Sequence, residues 1–263
     1  MPEYLFDSLH DMEYLKEPEA AIITDVDGTI SEIAPTPESA SVDDEMRKVL
    51  VELSRRHRVL AFISGRSVAD ALRMVGVPDA IYVGNHGLEY IMDGEYHSFG
   101  EAERYTPIIK RCLMELRDEI PEKGVIFEDK GICSAVHYRQ CRDPEAAREM
   151  ILETLKNIPE SRRIRVDTGR MIVELKPPIE YNKGVIVREI IERYGVSSAV
   201  YLGDDVTDAN AFRELRRMEA SGEVRAATII VLSKEIPDDI KSTAEFFVCS
   251  VDEVLKFFKW LLE

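Results

Sequence analysis

Positive charge is what this sequence has least of for its size: 34 Lys and Arg stand against 50 Asp and Glu, a formal charge of -16 at pH 7. That balance excludes a broad nucleic-acid or anionic-membrane surface, since either partner is drawn by a positive field. Any anionic ligand must be met by locally placed cations. Cysteine is also sparse, with four residues at Cys112, Cys133, Cys141 and Cys249 and no close Cys-x-x-Cys pair. No zinc site is expected, and a chain this long needs no disulfide staples, so reduced thiols in a cytoplasm are expected. Nowhere do 18 apolar residues run together, which excludes a membrane-spanning helix. Residues 1–19 are acidic, with no cationic stretch leading into an apolar one, so no secretory signal is expected and the location is read as cytoplasmic. Internal repeats and low-complexity tracts are absent. What is present, 45% hydrophobic residues in 263, suffices for one large α/β domain or for a core with a smaller second unit.

The first informative stretch is Ala20-Ala21-Ile22-Ile23-Thr24, followed directly by Asp25-Val26-Asp27-Gly28-Thr29. A short apolar run without polar alternation suits a central strand of a parallel sheet, covered on both faces, and such sheets hold ligands beyond the carboxyl ends of their strands. The pattern recurs. Val59–Ile63 stops at Ser64-Gly65-Arg66, Ala80–Val83 at Gly84-Asn85-His86-Gly87-Leu88-Glu89, and Ser198–Leu202 at Gly203-Asp204-Asp205-Val206-Thr207-Asp208. Helical spacing covers the gaps. Residues 4–16 suggest a leading amphipathic helix. Ser41 is placed to cap a helix bearing Met46, Val49, Leu50 and Leu53, and Ser67–Val75 reads as a helix closed by Gly76. Lys183-Gly184 opens another that ends at Gly195. Ser250 with Glu253 makes a capping box for a final helix facing inward through Val251, Leu255, Phe258 and Leu262. A hairpin is expected around Asp93-Gly94, and further strands at 227–232 and 246–249.

Near Gly100 the pattern changes. A helix at 101–120 is followed by strands at 125–129 and 132–139, a second helix at 144–157, and strands at 164–167 and 171–175. Helix-hairpin-helix-hairpin predicts a four-stranded antiparallel sheet with helices on one face, a separate α+β unit. The fold class expected is therefore α/β, a Rossmann-like parallel-sheet core with an inserted α+β cap domain. Its divisions are residues 1–98 and 179–263 for the core and 99–178 for the cap. The linkers at 98–101 and 176–180 are expected to hinge as the cap opens and closes.

If the strands are parallel, four loops of functional residue types converge on one rim. Asp25, Asp27, Asp204, Asp205 and Asp208 would repel one another there unless a cation lies among them, and Mg²⁺ is the natural counterion for hard oxygen ligands. Asp25, Asp27 and Asp204 are the expected metal ligands. Asp25 can attack phosphorus, and Asp27 can protonate the leaving oxygen and then deprotonate water. Ser64 and Lys183 would hold phosphate oxygens, with Thr29 a possible further donor. Asp205 and Asp208 are read as orienting Lys183 or metal-bound water. Arg66 either steers the anion or pairs with the aspartates, and His86 serves substrate or loop positioning.

Taken in order, Asp25-Val-Asp27-Gly-Thr29, Ile63-Ser64, Lys183 and Gly203-Asp204-Asp205-x-Thr207-Asp208 resemble the four motifs of the haloacid dehalogenase superfamily. Within it the sequence resembles trehalose-6-phosphate phosphatases, through Ile63–Arg66, Gly84–Glu89, Glu128-Asp129-Lys130, Ala135–Arg139, Val173–Pro177, Asn182-Lys183-Gly184 and Gly203–Asp208. Two departures stand out: Ala209 where the family usually carries Glu, and Leu175-Lys176-Pro177 for a common Ile-Arg-Pro. The resemblance implies Mg²⁺-dependent hydrolysis of trehalose 6-phosphate through an aspartyl-phosphate at Asp25, with a trehalose-phosphate synthase as functional partner. It also implies that Glu128, Lys130, Arg139 and Glu174 grip the sugar. On strand periodicity alone, Glu128 with Lys130, and His137 with Arg139, each share a face, which fits sugar hydroxyls or a solvated, ion-paired surface equally. The alternatives are another sugar phosphate, such as sucrose 6-phosphate or a mannosyl phosphoglycerate, and a non-catalytic module that senses sugar phosphate.

Overall fold

The computed structural model describes residues 2–169, 171–233 and 236–263. In chain order its strands are β1 (Glu3–Tyr4), β2 (Ala20–Thr24), β3 (Val59–Ile63), β4 (Ile81–Gly84), β5 (Glu89–Met92), β6 (Glu95–Ser98), β7 (Ile126–Asp129), β8 (Ser134–His137), β9 (Arg165–Gly169), β10 (Ile172–Lys176), β11 (Ser198–Gly203), β12 (Arg225–Val231) and β13 (Phe246–Val248). The chain forms two compact units, Met1–His97 with Tyr181–Glu263, and Ser98–Glu180.

The larger unit is built on one sheet of order β1-β13-β12-β11-β2-β3-β4-β5-β6. Pairing is parallel from β1 through β4 and turns antiparallel at β5. From β2 the chain steps outward through β3 and β4 on one side, and from β11 through β12 and β13 on the other. The order therefore reverses between β2 and β11, the place where a doubly wound sheet opens a crevice for a ligand. β2 is buried along its whole length, with Ile22 packing into one apolar layer and Ala21 and Ile23 into the other. The first layer is completed by the helices Asp44–Arg56, Val68–Val75 and Val251–Leu261, through residues such as Leu50, Leu53, Ala71 and Phe257. The second is completed by Lys183–Tyr194 and Ala209–Ala220, through Ile186, Ile190, Phe212 and Leu215. Each buried Leu, Ile or Phe contributes about 1.5–3 kcal/mol, which holds the strand ends in register.

The smaller unit is a four-stranded antiparallel sheet of order β7-β8-β10-β9. One face packs on the helices Thr106–Glu119 and Pro144–Asn157, with Val136, Val173 and Leu175 meeting Ile109, Leu116 and Ile151.

Several local expectations are corrected. Residues 4–16 form no α-helix. Tyr4 is paired into the sheet beside Phe247, and two 3-10 segments, Leu5–Asp7 and Leu9–Lys16, follow it. The helix expected to start at Ser41 is capped instead by Asp43, whose carboxylate accepts from Glu45 N–H at 2.8 Å. At the last helix Ser250 does cap through Glu253 N–H, but the Glu253 carboxylate accepts from Cys249 N–H and from the Tyr4 hydroxyl rather than closing a box on Ser250. Its deepest residues are Val254, Phe257, Phe258 and Leu261, a stripe rotated from the one expected, because the N-terminal segment also packs on it. The hairpin β9-β10 turns later than read, since β9 extends through Thr168 and Gly169.

Candidate active site

At the reversal point β2 and β11 run side by side, with Thr24 opposite Leu202. The ladder continues one step further: Asp25 N–H donates to Leu202 O at 2.8 Å, which fixes the first acidic residue against the neighbouring strand. Gly28 then turns at φ +84°, and a Cβ placed there would lie 2.2 Å from Asp204 Oδ2. Only glycine allows the first loop to close this tightly on the Asp204 carboxylate.

The carboxylates of Asp25, Asp204 and Asp208 each offer an oxygen within 4.8 Å of the others, and all three residues are buried. Lys183 lies among them. As the first residue of a helix capped by Asn182, it puts its ammonium 2.6 Å from Asp25 Oδ1 and 2.6 Å from Asp208 Oδ1. Asp208 is saturated. Its Oδ1 also accepts from the Tyr201 hydroxyl at 2.6 Å, and its Oδ2 accepts from Asp204 N–H at 3.0 Å and Asp205 N–H at 2.8 Å. Asp208 thus holds both the lysine and the loop that carries Asp204. Asp205 turns its own carboxylate onto Val206 N–H and caps the short turn at 206–208.

Among the described residues, three buried carboxylates face one ammonium here. Burial, with the charges of Asp208 and Asp204, pushes the Asp25 carboxyl well above the usual carboxylate range, although Lys183 pulls the other way. For Lys183 burial favours the neutral form, but Asp208 and Asp25 outweigh it and hold the ammonium charged. Burial and Asp208 likewise keep the Tyr201 phenol protonated. Three hard oxygen donors within 4.8 Å of one another fit Mg²⁺ chemistry. Because Asp208 already has four donors, Asp25 and Asp204 are the carboxylates that would serve as ligands.

Asp27 is not in that group. Its carboxylate is forked by Arg66, with Nε 2.8 Å from Oδ2 and a terminal nitrogen 2.7 Å from Oδ1. Of the two readings left open for Arg66, the structure shows the aspartate pair. Arg66 is itself tied to Pro37 O at 2.9 Å, and its N–H reaches Ser64 Oγ at 3.1 Å. Ser64 is buried at the end of β3. The loop after β4 is stitched to the same place: Asn85 N–H donates to Arg66 O and His86 N–H to Ser64 O, with Asn85 and His86 both at positive φ. Two consecutive left-handed non-glycine residues cost about 1 kcal/mol or more each, so these backbone bonds are what hold the turn. The His86 imidazole lies against Gly65, where a Cβ would come within 2.7 Å of the ring. Thr29 Oγ1 is buried without a hydrogen-bond partner in the structure.

In the smaller unit Glu128 and Glu174 are brought to one sheet face, both opposite Ala135 on β8. Lys130 Nζ is 3.6 Å from Glu174 Oε1 and 4.0 Å from Glu128 Oε2. His137 Nε2 is 2.6 Å from Glu128 Oε2. Arg139 does not share β8 with His137, because β8 ends at His137 and Arg139 lies exposed in the following turn.

A family model described as Trehalose-phosphatase matches residues 23–251. The chain belongs to the trehalose-phosphatase family. The trehalose-phosphate phosphatase of Mycobacterium leprae (strain TN) is 34% identical over 241 residues, covering 86% of this chain and 53% of that protein. That of Mycobacterium avium (strain 104) is 35% identical over 237 residues, covering 86% of this chain and 58% of that protein. The chain therefore spans a little over half the length of the curated relatives it matches. In fold it resembles the C. albicans trehalose-6-phosphate phosphatase C-terminal domain, with a TM-score of 0.80 at 20% identity over 99% of this chain and 98% of that one. No helix among the described residues is long and apolar enough to cross a membrane.

For this family member, sequence reasoning missed Tyr201, Glu89 and the helix Ala209–Ala220. Tyr201 is a polar-tipped side chain set between the aliphatic Val200 and Leu202 of a fully buried strand, a sign that its hydroxyl must find a partner. Glu89 accepts from Val68 N–H at 2.8 Å, Asn85 Nδ2 at 2.9 Å and the Tyr96 hydroxyl at 2.9 Å, bracing the loop after β4 from beneath. Phe212, Leu215 and Met218 at helical spacing would have marked the helix.

Proposed function

We propose that the chain is a Mg²⁺-dependent phosphatase that hydrolyses trehalose 6-phosphate to trehalose and phosphate. The observation that carries this reading is the meeting of Asp25, Asp204, Asp208 and Lys183 at the reversal point of the sheet. In this reading Asp25 attacks phosphorus and the bond to the sugar oxygen breaks, leaving an aspartyl-phosphate. Once Arg66 turns from it to the incoming anion, Asp27 takes up a proton and gives it to the departing sugar oxygen, then takes one from the water that releases phosphate. Lys183 and Ser64 hold phosphoryl oxygens, and Asp208 and Tyr201 keep Lys183 aimed at Asp25. Asp25 and Asp204 would hold Mg²⁺, which supplies charge neutralisation for the phosphoryl oxygens. Arg66 must share its guanidinium between Asp27 and the incoming anion, and His86 orders the rim. Glu128, Lys130 and Glu174 read the sugar hydroxyls, with Arg139 contributing from its turn. The free thiols fit a cytoplasmic enzyme, and a synthase that makes the sugar phosphate is its implied functional partner.

The test is phosphate release from trehalose 6-phosphate, sucrose 6-phosphate, a mannosyl phosphoglycerate and glucose 6-phosphate, with Mg²⁺ and with a chelator. Trehalose 6-phosphate should be fastest, and chelation should abolish release reversibly. A faster rate on another sugar phosphate would reassign the substrate, and release indifferent to chelation would remove the metal.

A further inference from the structure

The polar face of the smaller unit holds more order than the residues assigned to the sugar account for. Directly opposed residues of an antiparallel sheet share a face, and across the four strands this places Glu128, Glu174 and Asp167 in one row. Three carboxylates in a row would repel. Instead cationic or donor groups alternate with them: His137 on Glu128, Lys130 between Glu128 and Glu174, Lys176 between Glu174 and Asp167, and Arg165 on Asp167.

The contacts along this ladder are unequal. Lys130 stands 3.6 and 4.0 Å from its carboxylates, beyond hydrogen-bond length. Its flanking neighbours are close. His137 Nε2 is 2.6 Å from Glu128 Oε2, and Lys176 Nζ is 2.6 Å from Glu174 Oε2. An ionised carboxylate only accepts, so Nε2 carries the proton in that bond. Lys176 is held in turn by Asp167 Oδ2 at 3.5 Å, and Asp167 by Arg165 Nε at 2.7 Å. One oxygen of each glutamate is therefore fixed by an outer partner, which sets the direction of the other.

We infer that His137 and Lys176 are positioning residues for substrate recognition: they fix the Glu128 and Glu174 carboxylates in advance, so that sugar hydroxyls meet acceptors already aimed. This inference rests on the reading that the face receives the sugar. Ordering a flexible side chain only on binding weakens affinity, and a tenfold loss corresponds to 1.4 kcal/mol. Loss of either outer partner should accordingly raise KM for trehalose 6-phosphate about tenfold, with kcat changing less than KM. Lys176→Arg, which keeps a cation within reach of Glu174 and Asp167, should stay near the parent.

The experiment is steady-state kinetics on trehalose 6-phosphate with Mg²⁺ for His137→Gln, Lys176→Met, Lys176→Arg, Glu128→Gln and Glu174→Gln, each checked for folding by its thermal midpoint. His137→Gln and Lys176→Met report separately, so if one misfolds the other still decides. A raised KM in both, with Lys176→Arg near the parent, supports the inference. If Glu128→Gln and Glu174→Gln raise KM while folded His137→Gln and Lys176→Met stay within about twofold of the parent, the positioning role is overturned and sugar recognition by this face stands. An unmoved KM in all of them overturns both.

Discussion

The two units use the same few residue types in opposite arrangements. Beyond the ends of β2 and β11, Asp25, Asp204 and Asp208 crowd around one lysine among the described residues. Across the smaller sheet, among the described residues, each carboxylate lies between donor groups, His137 and Lys130, Lys130 and Lys176, Lys176 and Arg165. Crowded buried carboxylates favour a cation among them, whereas alternating donors and acceptors suit a neutral, hydroxyl-rich ligand. Acidic composition by itself therefore says little about a ligand; the spatial order of the charges does.

The comparison breaks most sharply at Asp25. Asp25→Asn removes the attacking oxygen and should lower phosphate release on the order of 10⁴-fold. It should leave the thermal midpoint near the parent's, because the asparagine carbonyl still accepts from Lys183 and Asp208 still pairs with that lysine. Next comes Asp208→Ala, which strips Lys183, Tyr201 and two backbone N–H groups of their acceptor. Urea unfolding should show a loss of about 3–5 kcal/mol, as expected when one member of a buried ion pair is deleted.

A milder effect belongs to His57 in the larger unit. Burial lowers its pKa from the ordinary 6.5, against the pull of the Leu15 and Leu53 carbonyls. A histidine whose folded pKa is depressed leaves stability intact above 6.5 and erodes it as pH falls from there toward the folded value, because only the unfolded chain takes the proton in that window. Urea midpoints measured from pH 7.5 to 5 should decline in the parent and flatten in His57→Asn. The smallest effect is at the outer end of the ladder: Arg165 is 53% exposed in its pair with Asp167, and Arg165→Met should cost no more than about 0.5 kcal/mol. A cost there matching that of Asp208→Ala would erase the contrast between the two clusters.

Much of this was legible before any coordinates. The runs 20–24, 59–63 and 198–202 each end in a polar loop, and parallel pairing carries those loops to one rim because every strand points the same way. Lys183 was legible as a helix start, since Asn182 is a strong cap and Gly184 follows. The partners were less so. That Asp27 spends its carboxylate on Arg66, 39 positions away, depends on two loops meeting, and sequence spacing left that pairing as one of two choices. That Asp208 rather than Asp27 completes the acidic group depends on the turn at 206–208 folding back over Gly203, where a Cβ would lie 2.3 Å from the Asp208 carboxyl carbon. Alternation continues in sequence past the end of β8 and so carries Arg139 onto a strand it does not join, and the apolar spacing of the last helix points one stripe away from its true face because the N-terminal segment also covers it.

The central claim is that Asp25 takes the phosphoryl group. Acid quenching during turnover of trehalose 6-phosphate labelled in its phosphate, followed by peptide mapping, tests it directly. The label should sit on the peptide containing Asp25 and vanish in Asp25→Asn. Label on another peptide, or undiminished turnover in Asp25→Asn, would contradict the account.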